Sequence, residues 1–178
     1  MIKKVLIVSD SHGKSKNVKE AIGKEKPDML IHLGDIEDDP EKLRRWLDER
    51  AKKSIPAIFI QGNCDRYMSS DVNSVLKQVA MFELNDHKFF CCHGHVQGVN
   101  YGLENLMYTA IENGCDIAMY GHTHTPFNDV FDGFGDAGES VHILNPGSIS
   151  LPRGGNPKSY MIMKFDDNND YEVELKSL

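Results

Sequence analysis

Apolar residues in this chain gather into short runs that end abruptly in polar, glycine-bearing tips. Val5-Leu6-Ile7-Val8 is continuous and apolar, the mark of a strand covered on both faces. Residues 15–25 carry Val18, Ala21 and Ile22 at helical spacing, Pro27 breaks that helix, and residues 29–33 form a second strand. Pro40 opens a second helix with an apolar stripe of Leu43, Trp46 and Leu47, and residues 57–60 are a third strand. The middle changes character. Residues 79–84 and 88–92 flank Asn85-Asp86-His87, a predicted hairpin that leaves His87 as a solvated turn residue. A helix over 103–112, a strand over 116–120 and short strands near 129–131, 141–144, 160–165 and 171–175 follow. The Gly- and Asp-rich stretch 132–138 reads as a surface loop, and 166–170 as a turn. An α/β beginning with a mainly β end, lacking a linker or repeat, is satisfied by two packed sheets with helices outside.

A chain of 178 residues suits one domain, 1–178, with a full hydrophobic core. Its net charge of -7 opposes nonspecific attraction to nucleic acid or anionic membrane, so neither is an expected stable partner. No apolar stretch approaches the roughly 20 residues that span a bilayer, and the N-terminal run is too short for a signal peptide. Cysteines 64, 91, 92 and 115 show no CxxC spacing, and Cys91 and Cys92 on one strand would face opposite ways. They are expected to be reduced thiols in a cytoplasmic protein.

The chemistry sits at the strand tips. Asp10-Ser11-His12, Gly34-Asp35, Gly62-Asn63-Cys64-Asp65, His93-Gly94-His95 and Gly121-His122-Thr123-His124 recur there in order. Each alone has a bland explanation, since Asp caps helices, Asn suits turns and a lone histidine packs well. Together they suggest one metal-loaded crevice built from both halves of the chain. Carboxylates are hard ligands, neutral imidazoles suit borderline ions, Asn63 offers a carbonyl oxygen, and Asp35 has two oxygens able to bridge two ions. The nitrogen content is too high for a calcium or magnesium cage, and a structural zinc cluster is absent. The acids Glu37-Asp38-Asp39 could reach a metal, but preference for negative charge at a helix N-terminus explains them more simply.

As an ordered set, these motifs resemble the calcineurin-like metallophosphoesterases over nearly the whole chain. The small single-domain phosphodiesterase branch is most similar, and Asn145-Pro146-Gly147-Ser148 and Pro152-Arg153-Gly154-Gly155 also match it. The resemblance implies an α/β, four-layer αββα sandwich of two mostly mixed sheets flanked by helices, with a two-metal site at the strand ends. Carried over, Asp10, His12 and His124 hold one divalent ion, Asn63, His93 and His122 the second, and Asp35 bridges them. Manganese is the favoured metal, with nickel, iron or zinc as alternatives. A metal-bridging hydroxide would then hydrolyse a small phosphodiester. Phosphomonoester or phosphoanhydride hydrolysis is the nearest alternative, and a noncatalytic scaffold is the alternative of another class. The family also allows a homodimer or homotetramer.

Cys64 departs from the histidine of many larger members, which leaves open whether it or His95 protonates the leaving group. The catalytic set is accordingly Asp35, Asn63, His95 and Cys64. His95 equally suits bracing His93. Asp65 suits orienting a ligand or capping its turn, and Arg153 a substrate phosphate or solvent. His32 and His142, within strands, are read as packed and hydrogen-bonded.

Overall fold

In the computed structural model, which describes residues 2–52, 54–67, 69, 74–134 and 138–178, the first half forms strand and helix in alternation. These elements are β1 (Lys4–Val8), α1 (Ser15–Glu25), β2 (Met29–His32), α2 (Pro40–Ala51) and β3 (Ala57–Phe59). The second half supplies β4 (Val79–Leu84), β5 (His87–Cys92), α3 (Glu104–Glu112) and β6 (Ile117–Met119). It ends with β7 (Pro126–Phe134), β8 (Glu139–Pro146), β9 (Ser159–Phe165) and β10 (Tyr171–Ser177).

The strands order as β10-β9-β1-β2-β3 in one sheet and β4-β5-β6-β8-β7 in the other. β1, β2 and β3 are parallel, as are β5, β6 and β8, while antiparallel strands complete both sheets. Both sheets are therefore mixed, in the expected αββα arrangement.

Side-chain alternation builds the layers. Val5 and Ile7 face the second sheet, packing with Phe89, Cys91, Ile117 and Met119. Leu6 and Val8 face the other way, against Val18 and Ile22 of α1 and Leu43 and Leu47 of α2. Phe90, Cys92 and Ala118 pack outward with Leu106 and Ala110 of α3. A one-residue slip of β1 would exchange its two faces between unlike cores, so its register is strongly specified. Cys91 and Cys92 do face opposite layers, and all four cysteines are unpaired.

α2 starts as expected, with Pro40 following Asp39, whose side chain caps the N–H groups of Glu41 and Lys42. No helix among the described residues is long and apolar enough to cross a membrane.

Two expectations are corrected. β7 continues through Phe134, paired with β8 past an irregularity, so Asp132-Gly133-Phe134 is strand rather than loop; residues 135–137 lie outside the described part. His87 is the first residue of β5, because Asn85 and Asp86 alone make the turn, with φ of 50° and 67°. It is half-buried, edge-on to Tyr171 and 2.7 Å from Asp116 Oδ2 through Nδ1. His32 and His142 are packed and hydrogen-bonded as expected. His32 Nε2 meets Ser11 Oγ at 2.9 Å, and His142 lies between Tyr171 Oη and Asn128 Oδ1.

Candidate metal centre

The parallel strands of both sheets end at one rim. β1 delivers Asp10 and His12, β2 delivers Asp35, β3 leads to Asn63, β5 to His93, and β6 to His122 and His124. Loop-to-loop backbone bonds fix these tips: Asp10 N–H donates to Gly34 O (3.0 Å), His12 N–H to Asp35 O (2.9 Å) and Gly121 N–H to His93 O (3.1 Å). Asp10, His12, Asp35, His122 and His124 all have left-handed backbones, with φ between 45° and 66°. Such conformations cost non-glycine residues roughly 1 kcal/mol or more and persist where the surroundings over-determine them.

The late motif braces the same rim. Asn145 Nδ2 donates to Gly121 O (3.0 Å), and Ser148 Oγ donates to Asp10 O (2.8 Å).

The ligand atoms of Asp10, His12, Asp35 and His124 all lie within 4.8 Å of one another. His124 Nε2 is 3.2 Å from Asp10 Oδ1 and 3.3 Å from His12 Nε2. On the other side, His93 Nε2 lies 3.5 Å from Asp35 Oδ2 and 4.0 Å from Asp10 Oδ1. The His122 ring is centred 5.2 Å from that of His93. Asn63 neighbours Cys64, whose N–H donates to Asp35 Oδ1 (2.8 Å). The structure thus groups Asp10, His12, Asp35 and His124, with His93 beside Asp35 and His122 beside His93, while the side chain of Asn63 contacts Cys64 (3.3 Å).

Among the described residues, four buried side-chain atoms lack a hydrogen-bond partner: Ser9 Oγ and, on three of the predicted ligands, Asp10 Oδ1, Asn63 Oδ1 and His93 Nε2. An unsatisfied buried polar atom costs about 1–3 kcal/mol, and more for a charged one. Carboxylate oxygen, amide oxygen and imidazole nitrogen are donor types that suit divalent cations, and Asp10 Oδ1 and His93 Nε2 lie 4.0 Å apart. Burial pushes Asp35 upward, but the His93 imidazole 3.5 Å away and the Cys64 N–H hold its carboxyl well below the usual range. Burial lowers His93 and His124, yet the facing carboxylates Asp35 and Asp10 leave both raised.

The remaining candidates sit around this centre. The Cys64 thiol is pushed up to about 12 by burial and then by Asp35, Glu37 and Asp65, so it stays protonated at neutral pH. His95 is exposed, its ring 5.4 Å from that of His93; burial and His93 lower it. Asp65 is a brace, accepting from Glu37 N–H and Gly62 N–H, both at 2.8 Å. Arg153 is exposed at the rim, and its backbone N–H donates to His124 O (3.1 Å).

Two polar contacts depart from the sequence reading, which assigned Glu37 to the helix N-terminus and did not single out Asn100. Glu37 lies 3.1 Å from His12 Nδ1, and Asn100 Nδ2 lies 2.9 Å from His122 Nε2. An acidic residue directly after Gly34-Asp35-Ile36 was the available signal for Glu37; Asn100 had none.

Carboxylates and imidazoles gathered at the ends of two mixed sheets make a candidate site for divalent metal. The calcineurin-like phosphoesterase superfamily domain matches residues 4–168, and the chain belongs to that family. It is 31% identical over 166 residues to the probable metallophosphoesterase YsnB of Bacillus subtilis, covering 92% of this chain and 85% of that protein. It is 32% identical over 183 residues to the phosphodiesterase YfcE of Escherichia coli, covering 92% and 88%. The crystal structure of a conserved protein from Streptococcus pneumoniae, described as a predicted phosphoesterase, is similar with a TM-score of 0.75 and 29% identity, covering 99% of this chain and 90% of that one.

Proposed function

We propose that the chain is a dinuclear phosphodiesterase in which Asp10, His12 and His124 hold one divalent ion and Asn63, His93 and His122 the other. Asp35 joins the two positions. The observation that carries this reading is the set of three partnerless buried atoms on Asp10, Asn63 and His93. Oxygen and imidazole donors together favour manganese, with nickel, iron or zinc able to substitute. When bound, such ions activate water near neutral pH and neutralise charge developing on the phosphoryl oxygens.

The chain's own groups do the rest. Among the proposed ligands Asp10 and Asp35 bring two negative charges against four from a divalent pair, so the ligand set itself keeps a positive balance toward an anionic ester, which nearby Glu37 and Asp65 reduce. The Cys64 N–H orients Asp35, and the Leu33 and Leu151 carbonyls orient His93 and His124 through their Nδ1 atoms. His95, exposed beside His93, is the group positioned to give a proton to the leaving oxygen. Cys64 is the rival donor, since its thiol remains protonated.

Preference for a diester rests on the likeness to YfcE, named as a phosphodiesterase. The test is hydrolysis of an activated diester and its corresponding monoester by metal-stripped protein, before and after manganese, with Asp35→Ala alongside. Diester turnover restored only in the wild type is the expected result. Equal or faster monoester turnover would end the diester preference. Retained activity and ion binding in Asp35→Ala would end the dinuclear reading.

A further inference from the structure

Glu37 lies outside the ligand set, on the loop between β2 and α2, yet its Oε2 is 3.1 Å from His12 Nδ1. A carboxylate can only accept, so this contact keeps the proton of His12 on Nδ1 and leaves the Nε2 lone pair free. That Nε2 faces the crevice, 3.9 Å from Asp35 Oδ2 and 3.3 Å from His124 Nε2.

Glu37 is held there against its own backbone preference. Its φ is 47°, a left-handed value that disfavours glutamate. Two sets of bonds hold it. Buried Asp65 accepts from its N–H at 2.8 Å and, with its other oxygen, from Gly62 N–H. The preceding residue, Ile36, accepts from Gly13 N–H (2.9 Å) and Ser11 Oγ (3.2 Å), binding the Glu37 loop to the His12 loop.

His93 and His124 are oriented differently, through the carbonyl oxygens of Leu33 and Leu151. A carboxylate partner makes an imidazole a stronger donor to a metal than a carbonyl does.

We propose that Glu37 is a positioning residue that fixes the tautomer and ring orientation of His12 and thereby sets ion affinity at the Asp10–His12–His124 position. This rests on the dinuclear reading above. A competing role exists, because atoms of His12, Glu37 and Cys64 also lie within 4.8 Å of one another and could hold a further ion.

The experiment titrates the metal-stripped full chain with manganese, following free ion by electron paramagnetic resonance, for wild type, E37Q, E37A, C64A and H12A. Imidazole nitrogen shifts of His12 are recorded on the metal-free proteins. E37A should weaken ion binding about tenfold or more at unchanged stoichiometry, and its His12 should lose the Nδ1–H tautomer. E37Q, whose amide oxygen accepts the same N–H, should keep that tautomer and most of the affinity.

Wild-type affinity and tautomer in E37A would overturn the proposal. Loss of one whole ion in both E37A and C64A would also overturn it, making Glu37 a ligand. Equal binding by wild type and H12A would instead remove the metal-centre reading beneath it.

Discussion

Gly62→Ala tests how tightly the centre is built. A Cβ added at Gly62 would fall 2.0 Å from Asp35 Oδ1 and 2.2 Å from Asp35 N. Ordinary contact begins at 3.4 Å, so relief demands a displacement of about 1.4 Å. The carboxylate could rotate aside, but the backbone nitrogen has little freedom. Asp35 O is bonded to His12 N–H, and Gly62 N–H is bonded to Asp65. Metal–ligand distances tolerate about 0.2 Å, and misplacing a reacting geometry by about 1 Å can cost on the order of 100-fold in rate. Gly62→Ala is therefore expected to lower diester turnover about 100-fold or more and to weaken ion binding. Overpacking should also cost about 1–3 kcal/mol of stability. Gly23→Ala is the matched control, since its Cβ would meet nothing within 4 Å on α1. It should add about 0.5–1 kcal/mol and leave turnover unchanged. Both variants would be assayed for manganese binding, initial rate and urea unfolding. Wild-type affinity and rate in Gly62→Ala would refute the claim that close packing of glycine sets the position of Asp35.

Further outcomes are expected. Burial pushes His32 down to about 4 from an ordinary 6.5, so the unfolded chain binds the extra proton first and stability rises with pH across that window. His32 should therefore cost the metal-free protein stability as pH falls from 6.5 toward 4; urea unfolding at several pH values checks this, and His32→Gln should remove that part of the slope. Lys26 ends α1 with φ 50° while its N–H bonds Ile22 O, so Lys26→Gly should stabilise the fold by about 0.5–1 kcal/mol in the same assay. Manganese at 100 times its dissociation constant should stabilise the wild type by about 2.7 kcal/mol. Asp10→Asn should lose that gain, and a full metal-induced shift in its thermal melt would remove Asp10 from the ligand set.

The sheets were legible because their parallel strands are buried on both faces. Val5 to Val8 can be recognised as a strand without knowing its neighbours, since each residue meets one apolar layer or another. The ligand tips were legible for a related reason. An apolar run that stops at Asp10, Asp35 or His93 leaves a polar side chain at the carboxyl end of a buried strand, where parallel sheets form crevices. What sequence could not convey was backbone handedness at residues other than glycine. Asp39 behaves as its position before Pro40 implied, capping α2. Glu37, two residues earlier, has the same charge and the same apparent purpose. Its left-handed φ turns it back toward His12 instead, and the bond that holds that turn comes from Asp65, 28 residues away. His87 shows the same limit at shorter range. Two left-handed residues, Asn85 and Asp86, complete the hairpin, which moves His87 out of the turn and against Tyr171. For Glu37 the choice of φ is held by a distant partner, whereas His87 is placed by the two turn residues before it, and the contact of Glu37 with His12 depends on that choice of φ.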